Sequence, residues 1–125
     1  PLYSSAASDV YKRQDQALVD GERLWLVDLD LYCLGDPGLD IGNFIAHLIE
    51  WSLRTLGAPD ALADRERALE ERFVALAGED VRPSIHTYTT LTLVRHIWIS
   101  TRFPERQPFT ETLFALCEER LAEWM

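Results

Sequence analysis

The stretch Gln16–Asp40, QALVDGERLWLVDLDLYCLGDPGLD, decides how this chain folds. Two short apolar runs flank Asp20-Gly21, a pair that tolerates the positive φ of a two-residue hairpin turn. The spacing predicts one strand over Gln16–Val19 and a second over Arg23–Asp28. The second is apolar on both faces toward its end, at Leu24, Trp25, Leu26 and Val27, which predicts burial. Residues 29–38 carry Gly35, Pro37 and Gly38 and read as a loop. Asp36 stands where it can cap a helix, with Pro37 at the first helical position.

Toward the C-terminus the pattern changes from period two to helical spacing. The first helix starts between Pro37 and Asp40, repeats Ile41, Phe44, Ile45, Leu48 and Ile49 inward, and stops at Gly57. A second opens at Ala58-Pro59-Asp60 and runs to about Ala77, with Leu62, Leu69, Phe73 and Leu76 inward. A third runs from Arg82-Pro83-Ser84 to about Arg102. It is apolar on several sides, at Tyr88, Leu91, Val94, Ile97 and Trp98, which predicts a central position. A fourth spans Phe109 or Thr110 to Trp124, with Leu113, Leu116, Cys117 and Leu121 inward. The expected fold class is therefore mainly α, a β-hairpin followed by about four helices.

Toward the N-terminus the reading stops. Residues 1–14, PLYSSAASDVYKRQ, share neither pattern nor composition with the rest and resemble a translated sequencing-adaptor tail. The only Met is Met125 and the only Lys is Lys12, so the expectation is a non-native tail over 1–14 and a partial domain over 15–125.

Composition narrows the function classes. The 125 residues carry a net charge of −9. Nucleic acid and anionic membrane both demand an excess of Lys and Arg, so neither is an expected partner. No apolar run approaches the ~18 residues of a membrane span. Cys33 and Cys117 match no metal-ligand spacing and read as thiols in a reducing, cytoplasmic setting. His86 and His96 have no carboxylate or Cys at ligand spacing, which argues against zinc. His47 reads as a core or boundary histidine, and Trp51 and Trp98 as packing residues.

The segment Val27–Asp40 carries the chemistry. A buried strand that delivers a carboxylate to its end is one way to hold magnesium, which wants hard oxygen ligands. The pattern, an apolar residue followed by Asp28-x(6)-Gly35-Asp36-Pro37-x-x-Asp40, resembles the second signature of the aminoglycoside phosphotransferase and choline kinase family. That resemblance implies the C-terminal lobe of a kinase-like fold and transfer of the ATP γ-phosphoryl group to a hydroxyl of a small-molecule alcohol. It implies that Asp28 ligates the nucleotide's Mg2+, like the Asp of the Asp-Phe-Gly motif of protein kinases. In the family a His-x-Asp-x(4)-Asn loop runs into this hairpin. Counted back from Ala17-Leu18-Val19, its Asn falls on Gln16, its catalytic Asp on Tyr11 and its His on Asp9. Gln16 is thus the second expected metal and nucleotide contact. Asp30, Asp36 and Asp40 take supporting, structural places. No catalytic base is expected in this chain, which also lacks the lobe carrying the glycine-rich loop and phosphate-positioning Lys. It should therefore be inactive and bind Mg-ATP weakly.

Two other readings compete. A haloacid-dehalogenase-type phosphatase would use Asp28 of Asp28-Leu29-Asp30 as nucleophile, but needs a downstream Lys and a parallel sheet. A non-catalytic helical binding module would leave Asp28 without a chemical role.

Overall fold

The computed structural model describes residues 17–27 and 34–123. The chain divides into two units between Leu34 and Gly35. The described part is mainly α, with an antiparallel hairpin followed along the chain by four α-helices.

In the first unit, β1 (Ala17–Asp20) pairs with β2 (Arg23–Leu26) in the register Ala17↔Leu26, Leu18↔Trp25, Val19↔Leu24 and Asp20↔Arg23. The turn falls on Gly21-Glu22, with Gly21 at φ 60, so Asp20 closes the first strand instead of opening the turn. The burial expected for β2 is not found: Leu24, Trp25 and Val27 are exposed, as are Leu18 and Val19. A two-stranded ribbon by itself covers neither of its faces.

The second unit is a helical bundle. Its helices are α1 (Gly38–Leu56), α2 (Ala63–Ala77), α3 (Arg82–Arg102) and α4 (Thr110–Ala122). Short 3-10 turns over Glu79–Val81 and Pro104–Phe109 lead into α3 and α4. Helix α2 begins later than its Ala58-Pro59-Asp60 signal implies, because that segment forms successive turns, with Ala61 N–H bonded to Ala58 O and Ala63 N–H to Asp60 O. Gly57 ends α1 in the left-handed conformation at φ 82, which a side chain disfavours.

Helix α3 is the centre of the bundle and contacts α1 along its length and α4 on its other flank. The close approach of α1 is set by Gly38 and Gly42, one turn apart. A Cβ at Gly42 would stand 2.5 Å from Ile85 O and 2.9 Å from Thr89 N, both α3 backbone atoms. One at Gly38 would stand 2.6 Å from Ser84 Oγ. The apolar core joins Ile45, Ala46, Ile49 and Leu53 of α1, Val74 of α2, Val81, Ile85 and Leu93, and Leu113 and Cys117 of α4.

Several side chains fall on the face opposite to that expected. Phe44, Leu76 and Leu121 are exposed, and Val74 takes the inward place in α2. The largest departure is in α3. Leu91, Val94 and Trp98 face outward, while Thr89, Thr90, Thr92, His96 and Ser100 are buried with Ile85, Leu93 and Ile99. Helix α3 is central, as its apolar content suggests, but through its more polar face. The reason lies in its partner, since α1 brings a polar stripe to the same contact.

Candidate functional site

Of the five expected site residues, Gln16, Asp28 and Asp30 lie outside the described residues, as do Tyr11 and Cys33. Asp36 and Asp40 are both described and exposed, at the start of α1. Asp36 Oδ1 accepts the Gly38 N–H at 2.8 Å, and its carbonyl accepts the Leu39 N–H at 3.1 Å. Pro37 already has helical angles, φ −63 and ψ −23. Asp36 is therefore the working cap of α1, satisfying a backbone donor that the helix itself cannot. Asp40 sits in the first helical turn and makes no side-chain hydrogen bond among the described residues. Its charge there complements the positive end of the helix.

The most concentrated set of polar side chains lies elsewhere, inside the bundle. Asn43, His47, Glu50 and Arg54 recur at four-, three- and four-residue steps and so form a stripe along α1. The first three are buried. Each rung meets a polar group from across the bundle or along the helix. Thr92 Oγ1 donates to Asn43 Oδ1 at 3.2 Å. His96 Nε2 and His47 Nδ1 are 2.9 Å apart, with the rings edge to face. Glu50 Oε1 receives Arg54 Nε at 3.0 Å and stands 3.5 Å from Nη1 of the buried Arg106. Ser100 Oγ and Thr110 Oγ1, 2.7 Å apart, extend the polar contact between α3 and α4.

Burial and charge fix the state of this ladder. Desolvation pushes the His96 imidazole down to about 4, and the cationic Arg106, Arg95 and Arg54 push it the same way. The His47–His96 bond needs one ring to donate and the other to accept, so it cannot survive protonation of both rings. Asn43, His47, Glu50, Thr92, His96 and Arg106 are all buried, so the ladder lies inside the bundle. The sequence carried its signal, because a polar residue at every turn of an otherwise apolar helix marks a stripe. His47 is placed as read, in the core. Trp98, expected to pack, is exposed, with Arg102 over its ring at 5.0 Å.

A second polar cluster joins the end of α2 to the start of α3. Arg82 binds Glu70 at 2.8 Å, Glu71 at 3.0 Å and Glu79 at 2.9 Å, and His86 Nε2 reaches the same Glu70 oxygen at 2.8 Å. The guanidinium is held above its usual range, chiefly by its hydrogen bonds to Glu79, Glu71 and Glu70. A depression of about 410 Å³ lies beside it, lined by Glu79, Arg82, Pro83, His86 and Thr87. The Arg82 donors point to carboxylates of the chain, Glu70, Glu71 and Glu79.

Among the described residues no three His, Cys, Asp or Glu side chains come together to hold a metal ion. The two expected magnesium contacts, Asp28 and Gln16, are outside those residues, and Asp36 already spends one oxygen on backbone. No family model, curated protein or solved structure matches the chain. No helix among the described residues is long and apolar enough to cross a membrane.

Proposed function

We propose that residues 15–125 are part of an ATP-dependent small-molecule phosphotransferase, of the aminoglycoside phosphotransferase and choline kinase type. The reading rests on the spacing of Asp28, Gly35, Asp36, Pro37 and Asp40. The observation that favours it over phosphatase chemistry is the antiparallel pairing of the strand that leads to Asp28. A haloacid-dehalogenase-type site needs a parallel sheet and a downstream Lys, and no Lys follows Lys12.

In this reading Asp28 and Gln16 would hold the magnesium of Mg-ATP, which would supply neutralising charge for phosphoryl transfer. Asp36 fixes the first turn of α1 through the Gly38 N–H. Asp30 and Asp40 carry structural roles. In the family that the motif resembles, the general base lies in the loop that leads into the hairpin, and the glycine-rich loop and the Lys lie further upstream. The acceptor is a hydroxyl of a small molecule, whose identity no residue here specifies.

The test is a set of variants in a chain that carries this segment behind a His-x-Asp loop and a nucleotide-binding lobe. Replacing Asp28 by Asn keeps the shape of the ligand and removes its charge. Turnover should fall at least ~100-fold, with ~1.4 kcal/mol for each factor of ten. Asp30→Asn should cost much less. The opposite order would place the metal contact at Asp30, and two silent variants would end the phosphotransferase reading.

A further inference from the structure

We propose that this chain self-associates by laying the outer face of α3 antiparallel along the outer face of α4 of a second copy. This is independent of the phosphotransfer reading. Helix α3 turns part of its apolar surface away from the core. Leu91, Val94 and Trp98 are 57%, 46% and 59% exposed, while Thr89, Thr90, Thr92 and His96 are buried. The exposed residues follow the steps three and four of a helix-packing seam. Arg95 and Arg102 flank the seam, both exposed. Helix α3 contains no Asp or Glu, in a chain with 21 of them against 12 Lys and Arg.

The complement is present in the same chain. The outer face of α4 carries Glu111, Phe114, Glu118 and Leu121, all exposed. Read forward, the α3 face runs Leu91, Arg95, Trp98, Arg102, alternating apolar and basic. Read backward, the α4 face runs Leu121, Glu118, Phe114, Glu111, alternating apolar and acidic. In both helices the like residues recur every seven positions, about 10 Å along the axis. Antiparallel alignment therefore brings Leu91 to Leu121, Arg95 to Glu118, Trp98 to Phe114 and Arg102 to Glu111. None of these four charged residues has an ion-pair partner among the described residues. Arg102 is already stacked over Trp98, which orients its charge at the seam.

A second copy fits this face better than an unrelated helix does, because only the second copy brings acids at the spacing of the two arginines without a further assumption. A two-fold arrangement would use the contact twice, α3 on α4 and α4 on α3, as isologous dimers do.

Sedimentation velocity over a concentration series tests the proposal on the full chain. The wild-type chain should pass from monomer to dimer as concentration rises. The double variant Arg95→Glu with Arg102→Glu, and the double variant Glu111→Arg with Glu118→Arg, should each weaken self-association at least about 100-fold, because they set like charges opposite one another. Mixing the two double variants should restore the dimer, since each then offers the charges that the other lacks. All four residues changed have exposed side chains, and circular dichroism melts of the variants should match the wild type. A wild-type chain that stays monomeric at the highest concentration overturns the proposal. So does a dimer that ignores the reversals, or a mixture that fails to associate although both variants are folded.

Discussion

Replacing Gly42 by Ala tests the contact on which the bundle is built. Two effects oppose each other. Alanine in a helix interior is favoured over glycine by about 1 kcal/mol, which would stabilise α1. The added methyl would stand 2.5 Å from Ile85 O, 2.8 Å from Tyr88 Cβ and 2.9 Å from Thr89 N. Ile85 O and Thr89 N are α3 backbone atoms and cannot swing aside, so the helices must separate along the whole α1–α3 contact. Overpacking of a tight contact costs about 1–3 kcal/mol, and backbone obstruction belongs at the upper end of that range. The net expectation is a loss of about 1–2 kcal/mol, or a fall in Tm of about 5–15 °C for a folded unit of this size. Gly35→Ala is the matched control, since nothing lies within 4 Å of its added Cβ. Its effect should stay within about 0.5 kcal/mol. Both variants are measured by thermal unfolding, followed by far-ultraviolet circular dichroism. A Gly42→Ala chain that melts at or above the wild type would refute the close approach of α1 to α3.

Two further perturbations address the buried ladder. His96 has a folded-state pKa pushed below its ordinary value, to about 4, so the unfolded chain binds its proton first as pH falls. The stability it protects is whole above about pH 6.5 and is lost by up to ~3 kcal/mol as pH falls to 4; denaturant titrations should show a shallower loss over that window in His96→Gln than in the wild type. Glu50 stands 3.5 Å from the buried Arg106, so Glu50→Ala removes the carboxylate that faces this buried cation and should destabilise the bundle by about 3 kcal/mol or more, read as a drop in the urea midpoint.

Particular residues show why some of this architecture was legible in the sequence and some was not. Glycine and proline punctuation placed the helix ends well, because a left-handed φ at Gly57 and a missing N–H at Pro37 are local requirements. The start of α2 is not legible locally, because Ala58-Pro59-Asp60 supports either a helix cap or a turn, and the chain uses it for turns. Side-chain faces were harder. Leu91, Val94 and Trp98 form as good a helical stripe as Ile85, Thr89 and His96, and periodicity alone does not say which stripe meets a partner. What decided the matter was non-local: Asn43 and His47 on α1 select Thr92 and His96, each 49 residues further along. The expected magnesium site falls on Gln16 and Asp28, outside the described residues, so the motif remains its whole basis.

The choice of a polar stripe for the central contact has a cost that apolar side chains would avoid, since burying Glu50 and Arg106 removes two charges from water. Stability is thus a poor reason for the ladder, and register is a better one. Apolar helices slide past each other with small losses, because one Leu replaces another in a hole. The rungs here are not interchangeable. Shifting α3 by one turn toward the start of α1 would bring His96 opposite Asn43 and leave His47 without that ring, while Glu50 would lose alignment with Arg106. Each mismatch strands a buried polar group at a cost of about 1–3 kcal/mol. Only one alignment satisfies the three rungs together, and it is also the one that seats Gly42 against Ile85 and Thr89. Two independent devices, small residues and paired polar ones, therefore specify the same register. Their joint effect is to hold the first turn of α1, with Asp36 and Asp40, at a defined place on the bundle.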